Sequence, residues 1–280
     1  LIDLAETGAS VGLNPLDVTL GRERDKTIAD LLKMLAHLWA SSWGARMENA
    51  FEMGLRTLFE ANKILVARDP NKGPEQQYTL LDVLPLLTNA NFCHALLQEI
   101  QDDYLHRWWR EYYEPLSLVQ QRDVINPVIS KVAKFESVVA RRIVGQSVST
   151  LNLAQMVNDK KIILLNLARG IVGGDVAMLI GATVLGMIQI TLEEQGRKKG
   201  HINTRLPIIL EEFHTLSSAN YRSLAELQRY GVTFFLATQS LRYLQQLDVK
   251  LLPTIMANIE QVVAFRMSTQ DTDLLYKELE

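Results

Sequence analysis

A single cysteine, Cys93, stands in 280 residues, which excludes an intrachain disulfide and any cysteine-built metal site and suits a reducing compartment. An excess of one charge is missing too. The 29 lysines and arginines against 32 aspartates and glutamates leave a formal net charge of -3, so no global basic field advertises nucleic acid and any such contact is local. Long uncharged runs are scarce: the longest starts at 176, ends on Glu193, contains Thr183, Gln189 and two glycines, and reads as a buried helix rather than a lipid-spanning one. No segment is expected to cross a membrane. The five histidines show no metal-ligand spacing. An initiator methionine and a signal-peptide pattern are also lacking, the expectation for a cytoplasmic chain cut from a longer one.

What is present is enough apolar sequence, 48% of residues beside 22% charged, to bury a sizeable core. Short apolar runs at 161–167, 206–210, 232–237 and 261–265 predict strands, and helical stretches at 174–195, 219–230, 241–257 and from Thr269 lie between and after them. That alternation is the signature of a parallel sheet with crossover helices. Across 24–144 the pattern changes to helical spacing, as in Ile28, Leu31, Leu32, Leu35, Leu38 and Trp39, with Thr79 and Asn89 at cap positions. Leu1 to Leu4 again has strand character. The expected fold is therefore α/β: a parallel-sheet core visible at 1–23, an all-helical insertion at 24–145, and the rest of the core at 146–280.

The strand Leu206-Pro207-Ile208-Ile209-Leu210 ends on Glu211 and Glu212. Acids at the carboxyl end of a parallel strand suit hydrated magnesium and an oriented water, the form of a Walker B site; they equally suit a helix N-terminus. The next strand ends on Thr238-Gln239-Ser240, where an amide can meet a γ-phosphate or serve only as part of a helix cap. A Gly-Lys-Ser/Thr phosphate loop is not in the chain: the segment 21–27 lacks the glycine before Lys26, and the glycines at 170–174 come without a lysine. Arg141 and Arg142 fit a solvated pair or an arginine finger. Trp108, Trp109, Tyr112 and Tyr113, flanked by Arg107 and Arg110, fit a base-stacking platform or, more simply, one packed helical face. His214 reads as a polar loop residue.

Taken together, Ile208-Ile209-Leu210-Glu211-Glu212-Phe213-His214, the run from Leu224 to Val232 with Arg229-Tyr230-Gly231, and Leu236-Ala237-Thr238-Gln239-Ser240-Leu241 resemble the Walker B to sensor region of the HerA/FtsK superfamily. Asn14-Pro15-Leu16-Asp17, Asn166-Leu167-Ala168-Arg169-Gly170, Leu179-Ile180-Gly181 and Ala257-Asn258-Ile259 leading to Phe265-Arg266 are similar as well, most of all to the conjugative-transfer and type IV secretion ATPases of the TraG/TraD-like and VirB types. The resemblance implies a RecA-like P-loop NTPase using ATP and Mg2+, with Glu212 polarising water, Glu211 associated with the metal through water, Thr238 and Gln239 at the γ-phosphate, and Arg142 or a strand-end Arg266 acting across subunits. It further implies a homo-hexameric motor at the inner face of the cell membrane that drives DNA or a protein-DNA substrate; the alternative is a non-hydrolysing docking or assembly module. The family usually has aspartate where this chain has Glu211, and its phosphate loop precedes the strand at Leu1, so this segment alone is expected to be inactive.

Overall fold

A computed structural model describes residues 1–6, 11–199, 206–215, 227–228, 230–247, 249 and 251–279. They fall into two compact units, Leu1–Ile180 and Gly181–Glu280.

In the first unit β1 (Ile2–Asp3) pairs parallel with β2 (Leu165–Asn166), and everything assigned between Arg24 and Val144 is helical. The sequence is α1 (Arg24–Leu38), α2 (Ala45–Arg68), α3 (Val83–Thr88), α4 (Ala90–Glu99), α5 (Asp103–Arg107), α6 (Leu118–Val132) and α7 (Val138–Val144), then α8 (Leu153–Asn158) and α9 (Arg169–Val172) on either side of β2. Spacing explains the packing: Ile28, Leu31, Leu32 and Leu35 of α1 are buried, as are Phe51, Leu55, Leu58 and Phe59 of α2, three to four residues apart on one face. Thr79 and Asp82 form a capping box ahead of α3, and the Asn89 side chain accepts from Phe92 N at the start of α4.

After α5 the chain widens into a π-helical turn, Trp108–Tyr113, which buries Trp108, Trp109 and Tyr113 and leaves Tyr112 45% exposed. Trp108 Nε1 donates to Asn49 at 2.8 Å, Trp109 Nε1 to Thr57 at 3.0 Å and Tyr113 OH to Leu87 O at 2.9 Å. Trp108 and Tyr113 stack on each other. Their polar tips and flat faces are thus spent inside the fold, and these aromatics pack rather than present a platform for bases.

The Asn14-Pro15-Leu16-Asp17 motif closes the base of the helical segment. Asn14, fully buried, donates to Tyr78 O and Ser147 O and accepts from Leu16 N. Asp17 accepts from Gln77 Nε2 and from Ser149 N. Chain entering the segment, chain leaving it and the 77–78 crossing are therefore tied by side chains that have no water to replace them. Gly12 belongs to the same seam: a Cβ there would meet Val148 O at 2.5 Å.

In the second unit β3 (Leu206–Leu210) pairs parallel with β4 (Val232–Leu236), Leu206 against Val232 through Leu210 against Leu236. Gly231, at φ +81°, makes the left-handed turn into β4 that a side chain resists. Three helices follow, α11 (Arg242–Leu247), α12 (Leu251–Met256) and α13 (Thr269–Leu279); α10 (Gly174–Lys199) runs out of the first unit into the second. Leu210, Phe234 and Leu236 pack on a core of Phe213, Leu244, Leu251, Leu252 and Ile255. On the other face the register partners Ile209 and Phe235 are 70% and 56% exposed.

Several expectations need correction. Ladder bonds make two two-stranded sheets among the described residues, not one sheet of five strands. The 161–167 run contributes only Leu165 and Asn166. The run 261–265 is not a strand: Val263 and Phe265 are 77% and 90% exposed, and an apolar β-prone run without a neighbour to pair and pack on stays irregular. The helix expected at 241–257 is broken, because Pro253 lacks an N–H and its ring excludes it from a helix interior; it sits instead in the first turn of α12. The helix expected at 219–230 lies largely outside the described residues. Among the described residues one helix, Gly174–Arg197, is long and apolar enough to cross a membrane, and 72% of that window is buried in the fold, as in a core helix.

Candidate functional site

At the carboxyl end of β3 the ladder continues past the strands, with Ala237 N donating to Leu210 O at 3.0 Å and Phe213 N to Ala237 O at 3.2 Å. Between those fixed points lie Glu211 and Glu212. Glu212 adopts φ +49°, a left-handed conformation that costs an L residue roughly 1–2 kcal/mol. Phe213, 2% exposed in the core, and its hydrogen bond to Ala237 hold the backbone there. Strain of this kind collects at functional positions.

The strained backbone turns the carboxylate toward the neighbouring strand tip. Gln239 Nε2 donates to Glu212 Oε1 at 2.8 Å, and His214 Nε2 lies 3.5 Å from Glu212 Oε2. The His214 ring is held on both sides: Nδ1 is 3.1 Å from Thr238 Oγ1, and the ring stacks on Tyr243 at 4.7 Å. Thr238 in turn donates to Ser240 O at 3.1 Å. Glu212, Thr238 and Gln239 are thus brought into one constellation. Glu211 is exposed, and no hydrogen bond or ion pair engages it among the described residues.

Sequence reasoning missed Asp271, near the start of α13. It is 5% exposed and accepts from Ser240 Oγ at 2.8 Å, Leu241 N at 3.0 Å, Arg242 N at 3.3 Å and Ser268 Oγ at 2.8 Å. Burial pushes its pKa up, but the bonds from Ser240, Ser268, Arg242 and Leu241 outweigh that and hold it below the ordinary 3.8. The signal was Ser268-Thr269-Gln270-Asp271, a capping pattern that marks a helix start and says nothing of the second helix this carboxylate also serves. His214, a polar loop residue by sequence, touches two of the expected site residues, Glu212 and Thr238.

The two arginines stand differently. Arg266 is exposed on the irregular segment before α13, not at a strand end, and no hydrogen bond or ion pair joins it to the acids among the described residues. Arg142 belongs to the first unit, where Nη1 donates to Glu6 O at 3.1 Å beside a cleft of ≈ 30 Å³ that Asp3 and Leu4 also line. There too the strand ends are tied by polar groups, Asn166 Nδ2 donating to Asp3 Oδ2 at 3.0 Å and Ala168 held at φ +45°.

A divalent cation fits this donor set in one way only. Magnesium is commonly held by one or two carboxylates with water and phosphate oxygens completing its shell. Glu211 offers such a carboxylate, whereas both oxygens of Glu212 face side chains. No group of three or more acids, histidines and cysteines able to hold a metal occurs among the described residues, so an all-protein cage does not fit.

No protein-family model and no curated protein matches the sequence. Among solved structures the fold is similar to that of the bacterial conjugative coupling protein TrwBdeltaN70 in an unbound monoclinic form, with a TM-score of 0.51 and 14% identity over 92% of this chain and 59% of that one. The chain thus spans less than two thirds of that structure, and the likeness is one of fold.

Proposed function

We propose that the chain is the greater part of a RecA-like motor ATPase of a conjugation or type IV secretion machine. In this reading it works as a homo-hexameric ring at the inner face of the cell membrane and drives DNA or a protein-DNA substrate. The observation that supports it most is the 2.8 Å bond between Gln239 and Glu212, which joins the tips of two adjacent parallel strands where such sheets meet their ligands. The fold shared with a conjugative coupling protein is the second support.

Each residue then has a task its surroundings suit. Glu212, oriented by Gln239 and His214, polarises the attacking water as general base. Gln239 keeps a second N–H and a carbonyl with which to meet that water or the γ-phosphate, while Thr238 fixes the loop that carries it. Glu211 is the residue that would hold Mg2+ through water; the ion, when bound, neutralises charge on the phosphate oxygens. Arg142 or Arg266 acts toward a neighbouring subunit's nucleotide.

Magnesium dependence separates the two acids in ATP hydrolysis by the full-length protein. Glu211→Gln raises the Mg2+ needed for half-maximal rate and slows turnover; Glu212→Gln slows turnover and leaves the Mg2+ curve in place. Superimposable Mg2+ curves for wild type and Glu211→Gln remove the metal role. Wild-type hydrolysis by both variants leaves the fold as a docking or assembly module.

A further inference from the structure

A buried carboxylate at the third position of a helix ordinarily turns back to cap its own N-terminus. Asp271 turns back with one oxygen only, and to a hydroxyl: Oδ2 accepts from Ser268 Oγ, the oxygen that itself accepts from Asp271 N, whereas Oδ1 takes Ser240 Oγ, Leu241 N and Arg242 N. Ser240 Oγ also accepts from Arg242 N at 3.2 Å. One side chain therefore braces the cap of its own helix, Ser268, and caps the start of α11 directly, and the residue immediately before Ser240 is Gln239.

We infer that Asp271 is a positioning residue for the Glu212–Gln239 pair: it locks the Thr238-Gln239-Ser240 loop to the first turn of α13, so that the amide of Gln239 and the α13 helix move as one. The inference rests on the proposed role of that pair. Gln239 is held between two pins. On one side Thr238 is tied to His214, which faces Glu212; on the other Ser240 is tied to Asp271. Gln239 itself is exposed, so no packing of its side chain sets where its amide points. The pins do that, and a continuous path reaches α13: Glu212 to Gln239 by a hydrogen bond, Gln239 to Ser240 through the backbone, and Ser240 to Asp271 by a hydrogen bond. A γ-phosphate met by Gln239 would thereby be felt at α13, which gives the site a mechanical output.

The test uses the full-length protein in two arms. In the kinetic arm, Asp271→Ala lowers kcat for ATP about tenfold with KM within about twofold, because ground-state binding is untouched. Asp271→Asn, whose amide keeps an acceptor for the backbone N–H groups and gains a donor for Ser268, retains most of the rate. In a Gln239→Ala background Asp271→Ala costs nothing further, since both changes act through one amide. In the exchange arm, Asp271→Ala speeds hydrogen exchange at Leu241 and Arg242 on the order of tenfold while Ile208 and Phe234 stay protected. Losses that multiply in the double variant, or unchanged exchange at Leu241 and Arg242, overturn the lock. Wild-type hydrolysis by Glu212→Gln together with faster exchange in Asp271→Ala would mean that the lock exists but the site reading, and the positioning role with it, has failed.

Discussion

Glu212 illustrates how a single backbone angle places a candidate site side chain. At φ +49° it holds a conformation in which glycine has no Cβ to clash. Glu212→Gly is therefore expected to be more stable than Glu212→Ala by about 1 kcal/mol, although glycine ordinarily loses more chain entropy; urea denaturation of the two variants checks this. Equal stabilities would mean that the residue is relaxed. At Asp271 the charge matters. Its pKa is lowered on folding, so its contribution is fully present above the unfolded value and is lost as pH falls through the still lower folded one. Amide protection at Leu241 and Arg242 should hold at pH 5 and weaken once pH drops below the ordinary 3.8, while Asp271→Asn shows no such acid step. Glu211 and Glu212 were legible in the sequence because two acids ending an apolar strand are conspicuous. Asp271 and His214 were not, because the bonds that tie them to the 238–242 segment span 24 to 31 positions.

Among the elements, those that periodicity and local chemistry specify came through. The helical run from α1 to α7, β3 at Leu206–Leu210 and β4 at Val232–Leu236 all follow from spacing, β-branched or aromatic content and turn residues. Where the sequence misled, a tertiary requirement was missing from it: the run 261–265 has strand composition but no partner to pair with, and Pro253 divides a stretch whose apolar spacing suggests one helix. The Asn14 clamp is a third case. Its motif was noticed for its likeness to a family, whereas its physical role, tying the entry and exit of the helical segment, emerges only from contacts 64 and 133 residues apart. Asn14→Ala takes the acceptor from Leu16 N in a buried place, while the Tyr78 and Ser147 carbonyls keep their bonds from Asn62 and Gln77, and one such unpaired group costs about 1–3 kcal/mol. Thermal unfolding of the first unit should accordingly shift down by several degrees, whereas Asn14→Asp, which keeps the acceptor for Leu16, should lose less. No shift for Asn14→Ala would show that water or rearrangement satisfies the seam.

At the scale of the whole molecule, two parallel strand pairs each end in a tied polar cluster with one non-glycine residue in the left-handed region, Ala168 after β2 and Glu212 after β3. In the proposed reading the second cluster offers phosphoanhydride hydrolysis an oriented carboxylate, an amide at the adjacent strand tip and an exposed neighbouring acid. The sequence has no Gly-Lys-Ser/Thr phosphate loop, and the decisive measurement is made on the full-length protein. ATP affinity and ATP hydrolysis are measured side by side for wild type and Glu212→Gln. If Glu212 acts on the attacking water, affinity is retained within about twofold while the hydrolysis rate falls by a factor on the order of 10² or more, since only a transition-state role is removed. Hydrolysis at the wild-type rate with affinity unchanged would contradict the motor reading at its centre.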